Sequence, residues 1–172
     1  LIASMNPCPC GFYNHPDREC CCQGGAVQKY LNRISGPLLD RIDLHVEVTP
    51  VGFQELTHSA QQENSATIRN RVRIAREIQT ARFQKNQGIY CNAQISSKIL
   101  HEICRINPVG ITLLKNAMQK LNLSARAYDR ILKVSRTIAD LAGTEDILPE
   151  HVAEAIQYRS LDRESWGEFP VD

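Results

Sequence analysis

Five cysteines stand within fifteen residues near the start of the chain. Four of them form two Cys-x-Cys pairs at the ends of a short loop: Cys8, Cys10, Cys20 and Cys22. A structural zinc site takes four soft ligands in a tetrahedron, and four thiolates are a common closed set. The spacing therefore predicts a structural Zn²⁺ site on these four residues. His15 and Cys21 stay open as alternative ligands, and the alternative interpretation is a group of free thiols.

The composition of the chain is that of an ordinary globular protein. It has 172 residues, 42% of them hydrophobic, and a net charge of +1, so any electrostatic site has to be local. No apolar run approaches the roughly 18 residues that span a bilayer. Cys91 and Cys104 are scattered, and clustered cysteines without a secretory leader suit a reducing compartment. We therefore expect a cytoplasmic protein without a membrane segment.

Three polar residues stand where an anion could bind. Asn6 ends an apolar stretch, where α/β sheets place ligands, although Asn-Pro is also a common turn. Arg126 lies in the first turn of a predicted helix, where the helix dipole disfavours a positive charge unless an anion is bound there. Arg41 precedes a predicted strand and, on local sequence alone, is a surface arginine that pairs with Asp40 or Asp43.

Two kinds of hydrophobic pattern divide the chain. Residues 1–6 and 42–48 are predicted strands, the second by its strict alternation of apolar and polar residues. From residue 64 onward the pattern is helical. Short helices are predicted at 28–33 and from Pro37, and longer ones at 65–85, 96–105, 111–121, 124–141 and 150–159. The predicted division is an α/β piece at 1–50 with a cysteine-rich loop at 7–25, a linker at 51–63, a helical domain at 64–160 and a tail at 161–172.

The predicted helix at 65–85 carries six basic side chains against one glutamate: Arg69, Arg71, Arg73, Arg76, Arg82 and Lys85. Such a stripe can face nucleic acid. A solvated face whose arginines pair with acidic neighbours is the favoured interpretation, and contact with DNA or with neighbouring subunits stays open.

Three blocks of sequence, taken in order, resemble one family. They are ASMNPCPCGFYNHPDREC, RISGPLLDRIDLHVEV and LSARAYDRILKVSRTIADL. Together they resemble the carboxyl-terminal half of the magnesium-chelatase-like AAA+ ATPases of the ComM/YifB group. The resemblance runs from Ala3 to about Arg159. It implies a mostly α fold, with a remnant of about two strands from an αβα AAA+ core followed by an all-helical lid domain.

The resemblance also assigns roles to the three polar residues. Asn6 matches the sensor-1 residue, which orients the attacking water and the γ-phosphate. Arg41 matches the arginine finger, which acts on the nucleotide of a neighbouring subunit, and Arg126 matches the sensor-2 arginine. A finger supplied in trans implies a homo-oligomer, with a hexamer expected.

The whole protein implied by this resemblance is an ATP- and Mg²⁺-dependent motor that remodels DNA in a helicase-like manner. The phosphate-binding loop G-x-x-x-x-G-K-[ST] and the acidic Walker-B strand do not occur in these residues, so we expect them upstream. The chain thus reads as a fragment that does not hydrolyse ATP alone. The alternatives are a chelatase-type ATPase subunit for inserting magnesium into porphyrin, and a zinc-stabilised helical interaction module.

Overall fold

A computed structural model describes residues 1–48, 51 and 63–159. Most of the predicted linker at 51–63 and the whole predicted tail at 161–172 lie outside these residues. Seven α-helices occur in the described part: α1 Ala26–Leu31, α2 Gly36–Leu39, α3 Ser65–Phe83, α4 Ser97–Ile103, α5 Pro108–Lys120, α6 Ala125–Ala142 and α7 Pro149–Gln157. A 3-10 turn at Asn92–Gln94 lies between α3 and α4.

Helix α6 is the centre of the helical unit that spans residues 63–159. It contacts α3, α4, α7 and the 3-10 turn, while α5 packs on α7. Its buried positions recur every four residues, which puts them on one face of the helix. Side chains from all five longer helices meet there, including Phe83, Leu100, Leu114, Ile131 and Val152. The predicted mostly helical fold with a lid-type domain is confirmed.

Local side-chain bonds fix where the helices begin and end. The Ser124 hydroxyl accepts a hydrogen bond from the Ala127 amide at 3.1 Å and caps α6. Gly143 ends the same helix in the left-handed conformation at φ 70°, and the Thr144 amide bonds back to the Ala139 carbonyl. Helix α3 begins at Ser65, the start of the predicted helix, and the Asn64 side chain caps it.

Helix α5 begins three residues earlier than the sequence predicts. Pro108 occupies the first helical position, where its missing amide costs nothing. The Asn107 side chain caps this turn by accepting a hydrogen bond from the Gly110 amide at 2.8 Å. Pro108 and Gly110 therefore start the helix instead of separating it from α4.

The two predicted strands are wrong for the described residues. Residues 1–6 and 42–48 have no strand structure, and an isolated bridge between Ile106 and Ile147 is the only β pairing in the described part. An alternating pattern records which side of a strand is apolar, but a strand also needs a neighbour for its amides and carbonyls. In its place, the His45 amide donates to the Tyr158 carbonyl at 2.8 Å. Leu44, Val46 and Val48 remain 49–86% exposed.

A buried carboxylate ties three elements of the helical unit together. Asp140 on α6 accepts hydrogen bonds from Arg82 on α3 at 2.7 Å and from Asn92 of the 3-10 turn at 2.8 Å. The Arg136 guanidinium, one turn earlier on α6, donates to the same carboxylate at 3.1 Å. Because Asp140 is 1% exposed, these partners replace the water that it loses on folding.

Candidate metal centre and arginine surface

A tight turn brings the first cysteine pair together. The Gly11 amide donates to the Cys8 carbonyl at 3.1 Å. Gly11 has φ 83°, a conformation that a residue without a β-carbon adopts at no steric cost. The next amides then face the sulfurs, and the Tyr13 amide donates to the Cys8 Sγ atom at 3.3 Å.

The four predicted cysteines lie together. Their Sγ atoms are all within 4.8 Å of one another. Cys8 lies 3.3 Å from Cys10 and 3.7 Å from Cys20, and Cys10 lies 3.5 Å from Cys20. A tetrahedral zinc with bonds of about 2.3 Å spaces its sulfurs by about 3.8 Å. The donor set and its spacing therefore fit a tetrathiolate metal site.

The thiols of this cluster titrate unevenly. A hydrogen bond from the Phe12 backbone lowers the pKa of Cys10 to about 5. A backbone hydrogen bond from Cys10 lowers the pKa of Cys22, but lost hydration and the neighbouring thiols raise it to about 12. Four adjacent sulfurs cannot all carry a negative charge without a cation, and a bound divalent metal stabilises each thiolate.

The two alternative ligands, His15 and Cys21, do not belong to the group of four sulfurs that lie within 4.8 Å of one another, although a hydrogen bond with the Cys10 side chain raises the pKa of Cys21. Cys21 is exposed, whereas Cys20 and Cys22 are partly buried beside the other sulfurs. The His15 Nδ1 atom accepts a hydrogen bond from the Asp17 amide at 3.0 Å, and its ring packs against Phe12. None of the seven cysteines forms a disulfide, including Cys91 and Cys104 in the helical unit.

Asn6 and Arg41 are both exposed. Asn6 lies two residues before Cys8, so the candidate metal centre directly follows it. Arg41 follows the short helix α2, and its guanidinium donates to the Pro37 carbonyl at 2.7 Å. Asp40 and Asp43 pair with other arginines, as described next.

The carboxylate of Asp40 lies against the start of α6. The Ser124 hydroxyl donates to Asp40 Oδ1 at 2.6 Å. Arg126 lies 3.7 Å from Asp40 Oδ2 and is 66% exposed. Arg159 lies 3.9 Å from Asp40 Oδ1 and also donates to the Ile42 carbonyl. We expected an anion beside Arg126. In this structure that anion is the carboxylate of Asp40, the residue before Arg41.

A second acidic residue of the same segment contacts α6 one turn further along. Asp43 forms an ion pair with Arg130. Together with the His45 amide bond to Tyr158, these contacts attach residues 40–45 to the helical unit. Sequence reasoning missed Asp40 and Arg159 as site residues, because their partners are separated by 84 and 117 positions in the chain.

The basic helix α3 forms ion pairs with several neighbours. Arg71 pairs with Glu63 and Arg73 pairs with Glu77, each at 2.9 Å and each exposed to solvent. Arg82 is bound to Asp140 in the core. Paired arginines agree with the favoured interpretation of a solvated face. In the part of the chain that the structure describes, no helix is long and apolar enough to cross a membrane.

Comparison with known proteins identifies the family. The family model described as magnesium chelatase, subunit ChlI C-terminal, matches residues 62–159, and the model described as magnesium chelatase, subunit ChlI, matches residues 1–56. The chain therefore belongs to the magnesium chelatase ChlI C-terminal family.

Curated relatives cover nearly all of this chain. The competence protein ComM of Haemophilus influenzae is 43% identical over 164 residues, which are 95% of this chain and 31% of the relative. The uncharacterized proteins YifB of Escherichia coli and Salmonella typhimurium are 39% and 38% identical over 165 residues, with the same shares. The chain thus spans about a third of the length of the curated relatives it matches.

Proposed function

We propose that this chain is the part of an oligomeric ATPase motor that senses bound ATP and completes its hydrolysis site. In this proposal Asn6, Arg41 and Arg126 act on the nucleotide, and a phosphate-binding loop and a Walker-B carboxylate lie upstream. ATP with Mg²⁺ is the reactant, with the metal ion neutralising phosphate charge. The observation that carries the proposal is the exposed Arg126 at the capped start of α6, where it already faces a carboxylate.

Arg126 is suited to bind a phosphate for two reasons. It lies in the first turn of an 18-residue helix, and the amides at that end of a helix favour an anion. Its own guanidinium is mostly exposed, so several of its five N–H donors are available to phosphate oxygens. This arrangement supports the role of sensor 2, the arginine that reads the state of the nucleotide.

Arg41 is suited to act on a second subunit. It follows the four-residue helix α2 and is exposed, and among the described residues its guanidinium bonds to a carbonyl four residues earlier, a contact that it can give up to reach outward. A guanidinium that arrives from a neighbour stabilises charge in the transition state for phosphoryl transfer. The role requires an assembly of several copies, and we propose a hexameric ring.

Asn6 is the third member of the proposed site. An exposed amide side chain offers both donors and an acceptor, which lets it hold the attacking water and a γ-phosphate oxygen at once. Its neighbour in the chain is the candidate metal centre, which limits how far Asn6 can move.

Hydrolysis and binding of ATP by the full-length protein test these roles. Arg41→Ala should lower kcat by about a thousandfold or more and leave ATP affinity nearly unchanged. Arg126→Ala should weaken ATP binding about tenfold or more, as expected for lost hydrogen bonds to a charged group. Arg105→Ala removes an exposed arginine after α4 and is the matched control. If hydrolysis survives the Arg41 substitution, the finger assignment is wrong.

The substrate on which the motor acts is proposed to be DNA. The relative named as a competence protein supports this choice, and the family description supports a chelatase subunit as the second candidate. ATP turnover of the full-length protein should rise with single-stranded or branched DNA and stay constant with porphyrin. The opposite pattern would favour the chelatase. Absence of ATP turnover from the full-length protein itself would favour the third candidate, a zinc-stabilised helical interaction module.

We further propose that Cys8, Cys10, Cys20 and Cys22 hold a structural Zn²⁺. The support is four sulfurs that lie within 4.8 Å of one another, with the Tyr13 amide directed at the sulfur of Cys8. The ion would cross-link the two ends of the loop after Asn6. A site closed by four protein ligands leaves no open position for water or substrate, so its role is structural.

Metal analysis of the chain purified without added metal tests the zinc proposal. We expect about one zinc per chain, lost in Cys8→Ser and in Cys20→Ser. Cys21→Ser is the matched control, because it removes an adjacent exposed thiol and should keep the metal. Protein without metal but with an ordered loop would contradict the proposal.

A further inference from the structure

We infer that Asp40 is a positioning residue that orients Arg126 through an ion pair and holds the backbone of Arg41, so that one carboxylate sets where both guanidinium groups meet a nucleotide phosphate. This inference rests on the proposed function. It adds to that function a residue that touches no nucleotide and acts through the two arginines.

Asp40 is attached to the start of α6 by a short hydrogen bond. The Ser124 hydroxyl donates to Asp40 Oδ1 at 2.6 Å while its oxygen accepts from the Ala127 amide at 3.1 Å. One hydroxyl thus caps the helix and holds the carboxylate. Because a hydroxyl rotates to suit both partners, the two bonds fix the position of Asp40 relative to the first turn of α6.

A second anchor comes from the end of the helical unit. Arg159 follows α7 and is 1% exposed. Its guanidinium lies 3.9 Å from Asp40 Oδ1 and donates to the Ile42 carbonyl, two residues further along. Because a guanidinium is planar and presents its donors in a fixed geometry, the buried Arg159 holds the segment 40–42 more firmly than a flexible lysine at the same position would. The carboxylate is therefore held from both α6 and the end of α7, and it is only 19% exposed.

The two arginines differ from these anchors because both remain accessible. Arg126 is 66% exposed and lies 3.7 Å from the other carboxylate oxygen, Oδ2. An ion pair that is this open to solvent is weak, so a phosphate can draw the guanidinium away at little cost. Asp40 is thus near enough to orient Arg126 and too loosely paired to retain it.

Arg41 is coupled to Asp40 by the chain itself. The two residues follow α2 directly, and neighbouring α-carbons lie about 3.8 Å apart across a peptide bond. Any displacement of Asp40 against α6 therefore moves the backbone of Arg41. Arg126 and Arg41 are therefore both linked to Asp40, the first by an ion pair and the second by the chain.

The test uses full-length protein, with Asp40→Asn as the probing variant and Asp43→Asn as its matched control. Both substitutions remove one carboxylate from the same segment, and each loses an ion pair to α6, but Asp43 pairs with Arg130 and not with Arg126. Asparagine keeps the shape of the side chain and can still accept the Ser124 hydrogen bond. Ring assembly and the unfolding midpoint are measured alongside ATP turnover.

Asp40→Asn should lower kcat/KM by about tenfold or more, as expected when catalytic groups are misplaced by an ångström or less. In the Arg126→Ala background the same substitution should cost less than about twofold, because residues that act together are not additive. Asp43→Asn should stay within about twofold of wild type in both backgrounds.

Two results would overturn the inference while leaving the proposed function intact. One is Asp40→Asn with wild-type turnover when Arg41→Ala and Arg126→Ala are both impaired. The other is an equal loss from Asp40→Asn in both backgrounds together with a lower unfolding midpoint, which would make Asp40 a docking residue alone. Full activity of the two arginine variants would overturn the proposed function, and the inference with it.

Discussion

Asp140 is the shared acceptor of the buried polar network in the helical unit. Its carboxylate is fully buried, and it balances Arg136, which is 4% exposed, and Arg82, which is 21% exposed. Taking these charges out of water is costly, and their contacts offset that cost only as a complete set. Removal of the carboxylate leaves two guanidinium groups without their shared acceptor.

Asp140→Ala is expected to lower the free energy of unfolding of the chain by about 3 kcal/mol or more. Glu77→Ala is the matched control, since Glu77 also pairs with an arginine four residues before it on a helix. That pair is more than 60% exposed, and its loss should cost less than about 0.5 kcal/mol. Urea unfolding measures both variants. Equal losses would mean that burial does not govern the Asp140 network.

Cys104 makes the stability of the helical unit sensitive to alkaline pH. Burial raises the pKa of this thiol from an ordinary value of 9.0 to about 11. Below pH 9 the thiol keeps its proton in both the folded and the unfolded chain. Between about pH 9 and 11 the unfolded chain releases the proton and the folded chain retains it, so stability falls by about 1.4 kcal/mol per pH unit.

Unfolding free energies of wild type and Cys104→Ala, measured from pH 8 to 11, test whether stability falls with rising pH as argued. Wild type should be the more stable protein at pH 8, because alanine leaves a cavity at a position that is 2% exposed. That advantage should shrink by about 2–3 kcal/mol as the pH rises to 11. Cys91→Ala controls for the loss of a cysteine as such. A constant difference between wild type and the Cys104 variant would contradict the account.

At the scale of elements, the cysteine loop and the helices obtain their order from different sources. The helices share one apolar core around α6. The loop at 8–22 has four sulfurs within 4.8 Å of one another, and turns such as the one at Gly11 hold them. In the proposed zinc site, cross-links through the metal, and not burial of apolar surface, would order this loop.

If the proposed zinc is bound, its removal with a strong chelator should increase hydrogen exchange in residues 8–22 and leave α6 and α7 protected. Hydrogen-exchange mass spectrometry on the 172-residue chain measures both regions in one sample. Cys21→Ser should behave like wild type. Loss of protection in α6 on chelation would show that the loop supports the helical core, against this account.

The elements also show what sequence can predict here. The longer helices were predictable because their signals are local: apolar spacing, a Ser124 cap and a Gly143 stop. The predicted start of α5 at residue 111 was wrong because Pro and Gly commonly end a helix, whereas here the cap from Asn107 makes Pro108 and Gly110 part of the first turn. The strand predicted at 42–48 was wrong because a strand needs a neighbouring strand to pair with its backbone. The alternating pattern of this segment carries no information on such a neighbour.

The sites show the same limit. The group of four cysteines was predictable because the two cysteines of each pair are close in sequence and only a short loop separates the pairs. The structure brings the same four sulfurs together. The contacts of Asp40 with Ser124 and Arg159 were not, since no local pattern encodes them. The same holds for Arg82 and Asp140, which are 58 positions apart.

At the scale of the whole molecule, the chain presents its candidate groups on an outer surface instead of enclosing a site. Asn6, Arg41 and Arg126 are all exposed, and the chain spans about a third of its curated relatives. In the proposed motor, each hydrolysis site is therefore built by two chains, one that contributes Asn6 and another that contributes Arg41.

Mixing of two inactive full-length variants tests this claim most directly. Asn6→Ala subunits would lack hydrolysis at their own nucleotide but still supply Arg41, and Arg41→Ala subunits would do the reverse. An equal mixture should recover up to about a quarter of wild-type ATP turnover, the share of interfaces that hold both residues when fingers act in trans. A mixture as inactive as its components, with mixed rings demonstrated by native mass spectrometry, would contradict the account.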